Sequence, residues 1–382
     1  MRVGIDISQI IYGSGVSRYT KSLCVSLLEN ADENFEFLFF GGSLRRRKDL
    51  NSFVSDLKKL RPEIKIQKKI SFLSPNLAHL LFNKLHFLPL EIFTGDIDIF
   101  HSSDWTQPKT KALKVTTIHD LAVLRYPETF PKRIISAHKK RLEWVKKEAD
   151  LIIVVSESTK KDIIDLLKIK KEKIKVIYEG VNENFKPQGR NEIKRVREKY
   201  DLKEDYFLSV STLEPRKNLK TSIKAFNALN NENKEISFAL AGRMGWGDLK
   251  KMGVDKKNKN IKLLGFVTDE DLPALYSGAV GFIYPSLYEG FGLPALEAMA
   301  CATPVITSNV SSLPEVAVDA GILIDPLDNW SLAKNMEKLL KDDQLRAKLI
   351  AKGIIQAKKF SWQKTAVETL KVYEEVFKQN KK

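Results

Sequence analysis

Two glutamates, Glu289 and Glu297, stand seven residues apart in the stretch EGFGLPALE. One carboxylate can accept two hydroxyls at once, so such a pair flanking a loop suits a polyol ligand. Gly290 and Gly292 let the backbone approach a ligand closely. Pro294 fits the first helical position, where its missing N–H costs little. The preceding run, VGFIYPSLY (Val280–Tyr288), is apolar and strand-like. The reading is strand, loop, helix start, with Glu297 in the first helical turn. Ligands of open α/β sheets bind at the carboxyl ends of strands, and the free N–H groups of a helix start favour an anion such as phosphate. Amides for a phosphate beside carboxylates for hydroxyls describe a nucleotide-sugar site.

Further chemistry lies elsewhere in the chain. STLEPRKNL (Ser211–Leu219) follows a strand and carries Arg216 and Lys217 where the chain turns into a helix. Two fixed cations there suit a diphosphate and would neutralise charge growing on a leaving group. TTIHDLAVLRYPETF (Thr116–Phe130) ends a strand at His119, which faces the expected crevice; Asp120 reads as a turn or cap residue. Gly13 and Gly15 lie in the first strand-to-helix loop, YGSGVSRY, but Arg18 occupies the third glycine position of a dinucleotide fingerprint. Arg18 suits either an anionic acceptor or a solvated surface. HSSDW (His101–Trp105) is read as acceptor-side lining, the Ser and Thr residues of SESTKKDI (Ser156–Ile163) as caps, and Glu315 as structural. No nucleophile elbow and no P-loop is present.

Together these motifs resemble glycosyltransferase family 4, the "glycosyl transferases group 1", whose members are retaining enzymes of the GT-B fold. The resemblance covers nearly the full chain and is richest in its second half. It implies an α/β architecture of two Rossmann-like domains with parallel sheets facing across a cleft, the last helix crossing back to the first domain. It implies a nucleotide diphosphate sugar as donor, with Glu297 on the ribose and Glu289 on sugar hydroxyls. The N–H groups of Phe291, Gly292 and Leu293 would meet sugar and phosphate. Lys217 and Arg216 would stabilise the departing diphosphate, and His119 would position the sugar. Gly15, Thr212, Arg243 and Val267 fall on the donor side. The family's phosphate loop commonly reads G-R-L-x-x-x-K. Lys217 aligns with its lysine, but Thr212 replaces its arginine, which leaves the second cation open, with Arg216 and Arg243 as candidates. The acceptor hydroxyl would attack from the leaving-group face, with a donor phosphate oxygen as base. The LEPRKN form resembles mannosyltransferases of surface-polysaccharide assembly, which favours GDP-mannose and a lipid-linked oligosaccharide or lipopolysaccharide acceptor. Asp96-Ile97-Asp98 invites a metal, but GT-B enzymes rely on cations and helix dipoles; no metal and no cofactor is expected.

These residues need a scaffold. At 382 residues the chain suits about two domains, and a hydrophobic content of 43% provides for both cores. Short apolar runs alternate with helical stripes in each half, the pattern of βαβ units. Residues 1–185 form the expected acceptor-side domain, 186–204 a linker, 205–360 the nucleotide-sugar domain and 361–382 the crossover helix. Cys24 and Cys301 have neither metal nor disulfide spacing and read as buried thiols of a cytosolic protein. The start MRVGIDISQI reads as a strand, and no apolar run is long enough to span a bilayer.

The formal net charge is +16, concentrated in part over residues 45–69, and an apolar stretch, Ile70–Phe93, follows. Basic beside apolar residues suits an anionic membrane surface; a solvated face beside core helices is the other reading. The expected location is cytoplasmic, on the inner face of the cell membrane. Two other classes compete. A nucleotide-sugar 2-epimerase of similar fold would need no acceptor, but matches the motifs less well. A nucleic-acid-binding protein would interleave aromatics with its basic residues, which this chain does not, so no nucleic acid is expected.

Overall fold

A computed structural model describes residues 1–230, 236–246, 248–255 and 257–379. The chain falls into two compact units: Met1–Gly180 with Ser361–Lys382, and Val181–Phe360. Residues 380–382 of the expected crossover segment lie outside the described residues.

Unit 1 is built on a seven-stranded parallel sheet ordered β3-β2-β1-β4-β5-β6-β7. Its strands are β1 (Arg2–Asp6), β2 (Glu36–Gly42), β3 (Ile66–Ser71), β4 (Ile99–Ser102), β5 (Leu113–Ile118), β6 (Leu151–Val154) and β7 (Ile174–Val176). The sequence of β2, EFLFFGG, is a near-continuous apolar run, as a strand covered on both faces requires. Alternate residues serve opposite faces. On one, Phe37 stacks between Phe35 and Phe39 at centroid distances of 6.0 and 6.2 Å. On the other, Leu38 and Phe40 join a core with Phe82, Leu90 and Phe100.

Unit 2 has a six-stranded parallel sheet ordered β10-β9-β8-β11-β12-β13. These strands are β8 (Asp205–Val210), β9 (Ile236–Ala241), β10 (Ile261–Gly265), β11 (Gly281–Tyr284), β12 (Val305–Ser308) and β13 (Ile322–Ile324). The helix Leu219–Asn230 buries its stripe Leu219, Ile223, Phe226 and Leu229 against Phe238, Leu240 and Ile283. Leu332, Met336 and Leu339 of the helix Asn329–Lys341 complete that core.

In both sheets the strand order reverses beside the first strand of the unit, at β1/β4 and β8/β11. Crossover connections leave such a point toward opposite faces and open a crevice at the carboxyl ends of the two strands.

The final helix, Trp362–Gln379, belongs to unit 1 and packs on the helix Gly15–Asn30. Trp362, Thr365, Ala366, Thr369, Leu370, Tyr373 and Val376 are buried at helical spacing, and the Thr365 hydroxyl donates to the Tyr178 carbonyl at 2.7 Å. The chain thus crosses back to its first domain. Of the expected strand KVIYEGV only Lys175 and Val176 lie in β7, because Tyr178–Gly180 is taken up by this contact and by the passage into unit 2.

Candidate active site

The loops after β8 and β11 meet at the switch point of unit 2. Glu289 is buried there, with Lys217 Nζ 2.7 Å from Oε1 and an Arg216 terminal nitrogen 3.1 Å from Oε2. Burial opposes its charge, but the two cations prevail and hold its carboxyl at about 2. Lys217 Nζ also donates to the Tyr284 hydroxyl at 3.0 Å. Burial and the neighbouring Glu289 charge push that phenol far above its ordinary range.

Arg216 is embedded more deeply than a diphosphate clamp requires. It donates to the Tyr288 carbonyl at 2.6 Å and to Glu214 at 2.7 Å, and its own carbonyl accepts from Leu287 N–H at 3.0 Å. Arg216 therefore ties the loop after β8 to the loop that carries Glu289, and Lys217, withdrawn from water to a similar degree, reaches the same carboxylate. Asn218 takes a left-handed conformation (φ 54°) and donates to the carbonyls of Pro285 and Pro326 at 3.0 and 2.6 Å. Sequence reasoning missed Glu214, although a carboxylate two residues before a paired cation is a usable signal.

The helix expected after EGFG runs Leu293–Ala300, with Pro294 in its first turn. Gly292 caps it at φ 114°, and a Cβ there would lie 2.8 Å from Leu313. No L-side chain fits both the angle and the space. Ser312 donates to the carbonyls of Glu289 and Phe291, at 2.9 and 2.8 Å, while Glu289 N–H donates to the Ser311 hydroxyl at 2.9 Å. Phe291 is buried edge-on against Phe360, and Leu293 is half-buried. Glu297, one turn into the helix, is buried and accepts from the Tyr276 hydroxyl at 3.0 Å.

Thr212 is exposed in the loop after β8. Arg243, at the end of β9, lies over the ring of Phe266 at 4.4 Å, beside the buried Val267. These three occupy the same carboxyl edge as Glu289.

His119 and Gly15 lie in unit 1. His119 ends β5 and meets Glu179, Nδ1 to Oε1, at 3.3 Å. Tyr19 stands edge-on to its ring at 4.5 Å. Burial alone would depress the imidazole, but the carboxylates of Glu179, Asp104 and Asp120 raise it above its ordinary value. Asp120 accepts from Ala122 N–H at 2.8 Å, the turn role expected of it. Gly15 opens the helix Gly15–Asn30, where Ser14 and Ser17 form a capping box. Behind β5, Arg141 is fully buried on Asp104, Thr116 and the Thr117 carbonyl, a structural cation that no motif announced.

At the β1/β4 switch point, unit 1 has a cavity of about 450 Å³ lined by Asp6, Ser8, Phe40, Phe82, Ser103 and Trp105. Ser103 and Trp105 of HSSDW thus line this cavity. Burial raises the Asp6 carboxyl even though Ser8 donates to it twice, at 2.9 and 2.6 Å. Asp98 of the D-x-D pair instead receives the Arg2 N–H at 2.7 Å. Among the described residues no cluster of metal-ligating side chains is present, and no helix is long and apolar enough to cross a membrane.

The basic helix Arg47–Leu60 turns Leu50, Val54 and Leu57 inward, so its apolar face is spent on the core. The exposed apolar residues lie beyond it. Phe72 (63% exposed) and Ile92 (66%) are joined by Leu77, Leu80, Leu85 and Phe87, and the Arg47 guanidinium rests over the Phe72 ring at 3.4 Å. Cys24 and Cys301 are free and buried, and burial pushes both thiols up.

Comparison with known proteins gives the family. The family model "Glycosyltransferase Family 4" matches residues 13–185, and "Glycosyl transferases group 1" matches residues 190–356. O-antigen chain mannosyltransferase B of Escherichia coli is 37% identical over 280 residues, covering 72% of this chain and 74% of that protein. The chain belongs to glycosyltransferase family 4. Solved structures give the fold of this family-4 protein as GT-B. Sucrose-phosphate synthase from Thermosynechococcus elongatus superposes with a TM-score of 0.74 at 18% identity, over 99% of this chain and 100% of the other. Anabaena HepE in complex with UDP-glucose superposes with a TM-score of 0.70 at 18% identity, over 97% and 100%.

Proposed function

We propose that this glycosyltransferase moves mannose from a nucleotide diphosphate sugar, with GDP-mannose favoured, to a hydroxyl of a lipid-linked oligosaccharide or surface-polysaccharide acceptor, with retention at the anomeric carbon. The carrying observation is Glu289 held between Lys217 and Arg216 at the switch point of unit 2. A carboxylate kept ionised beside a lysine offers sugar hydroxyls an acceptor and a diphosphate a counter-charge within one site. The name of the Escherichia coli relative supports mannose as the sugar and a surface glycan as the product.

Unit 2 binds the donor in this reading. Lys217 meets the diphosphate as negative charge grows on the leaving oxygen, and Arg216 keeps Glu289 and the phosphate loop aligned while adding its own charge. Backbone N–H groups of Phe291, Gly292 and Leu293 face sugar and phosphate. Glu297 receives the ribose hydroxyls, and Arg243 and Val267 lie on the base side. Unit 1 supplies His119 to the transferred sugar, and its cavity seats the acceptor. The acceptor hydroxyl attacks the anomeric carbon from the leaving-group face and passes its proton to a donor phosphate oxygen. No metal takes part. The exposed apolar residues of segment 72–92, with Arg47 resting on Phe72, dock on the anionic inner face of the cell membrane.

A thermal-shift panel of GDP, UDP, ADP and their sugar conjugates tests the donor reading. Selective stabilisation by one nucleotide is expected; a flat panel, together with no transfer from any conjugate, would reject it. Transfer unchanged in EDTA and an axial product from an axial donor test metal independence and retention.

A further inference from the structure

We propose that Glu179 is a positioning residue for His119, fixing the imidazole with a proton on Nδ1 so that Nε2 is the atom left for a ligand. The inference rests on the reading above that His119 serves the transferred sugar, and it extends that reading to a residue no motif assigns.

The geometry is specific. An ionised carboxylate only accepts hydrogen bonds, so the 3.3 Å contact to Glu179 requires Nδ1 to carry hydrogen. Both side chains are largely withdrawn from water, at 13% and 6% exposure. Among the described residues no other hydrogen bond to the His119 ring is present. Its flank is closed by Tyr19, whose hydroxyl lies 3.2 Å from Thr117 Oγ1. Thr117 in turn meets His101 Nε2 at 2.8 Å, and His101 Nδ1 meets the Tyr373 hydroxyl of the final helix at 2.7 Å.

The final helix also seats the other side of the pair. Tyr178 is held by Thr365, and Trp362 lies 5.6 Å from Tyr19, ring to ring. Gly180 must be glycine because a Cβ would come within 2.1 Å of Trp362 N. Glu179 thus occupies a backbone position pinned on both sides, at the point where the chain leaves unit 1.

Three carboxylates face His119: Glu179, Asp104 and Asp120, with the Glu179 hydrogen bond the leading one. His101 is held neutral by burial, at about 3, so it adds no charge near neutral pH. Arg141 is paired with Asp104 on the same side. Removing the Glu179 charge leaves burial opposed by Asp104 and Asp120 alone, so the His119 midpoint should fall.

The test uses the full chain with Glu179→Gln, which keeps size and an acceptor oxygen, and Glu179→Ala. Imidazole nitrogen NMR resolves the five histidines of the protein, with His119→Ala assigning one of them. The wild type should show His119 titrating above 6.5 and hydrogen on Nδ1 in its neutral form, and Glu179→Gln should lower the midpoint. Transfer assays should show kcat falling roughly tenfold in the Glu179 variants, with melting temperature nearly kept in Glu179→Gln. His119→Ala and the His119→Ala/Glu179→Gln double variant should be equal, since one residue acts through the other. An unchanged His119 titration and tautomer in Glu179→Gln, or strictly additive losses, would overturn the proposal. If the wild type transfers no sugar from any donor, the functional reading fails while the NMR titration still decides the pair. If His119→Ala abolishes transfer and the Glu179 variants transfer normally, only this proposal fails.

Discussion

Glu289 has two duties that separate experimentally. In the proposed reading it accepts from the sugar, and in the fold it neutralises Lys217, which would lose its carboxylate in its absence, and shares Arg216 with Glu214. Glu289→Ala should therefore lower transfer at least about tenfold and also cost about 3–5 kcal/mol of stability, read by chemical denaturation. Lys217→Ala should lower transfer by a similar factor, because a transition-state contact is lost. Wild-type rates in either variant would remove that residue from the reaction. Glu297→Ala should weaken nucleotide binding in calorimetry; unchanged affinity would dissociate it from the ribose. The motif residues themselves were legible in the sequence, since carboxylates and cations in glycine-containing loops after strands have few bland explanations. Their partners were not. Glu214 and Glu179 each look like one more solvated glutamate until the fold brings Arg216 and His119 beside them.

Backbone geometry decides where those side chains point. Gly292 joins the Glu289 loop to its helix at φ 114°, so Gly292→Ala combines a disfavoured angle with a 2.8 Å contact to Leu313. The expected cost is about 1–3 kcal/mol, accompanied by weaker donor binding as the helix N-terminus shifts. Denaturation and nucleotide titration of the same variant check both parts. The helix itself was readable from glycine, proline and an apolar run. Its neighbour is only half readable: STLEPRKNL shows a charged turn after β8, but not that Asn218 takes a left-handed conformation to lock it. The apolar stretch Ile70–Phe93 shows the limit of periodicity. Some of its residues, such as Phe82 and Leu90, fill the core, while Phe72, Leu77 and Ile92 are exposed. An apolar residue has the same letter in either place.

At the scale of the whole molecule, charge and pH set the remaining expectations. Glu289 titrates at about 2 instead of 4.5, so its stabilising contribution is complete above 4.5 and is lost as pH falls toward 2. His119 is raised above 6.5, so its pairing contribution is complete below that value and fades as pH climbs through the folded-state midpoint. Melting temperature against pH should fall on the acid limb, and Glu289→Gln should flatten that fall. Sedimentation with anionic but not neutral liposomes, lost when Phe72 and Ile92 become serine, is expected if segment 72–92 meets a membrane. Local sequence determined the alternation of buried strands and striped helices, the loops rich in glycine and charge, and with them the family-4 resemblance, because each of those signals is written within a few neighbouring residues. Tertiary structure alone decided that β8 lies beside β11, so that Lys217 reaches Glu289, and that the final helix returns to unit 1 and braces the segment carrying Glu179. Those pairings join residues far apart in the chain, and their strength comes from desolvation, which exists only after the surrounding core has closed.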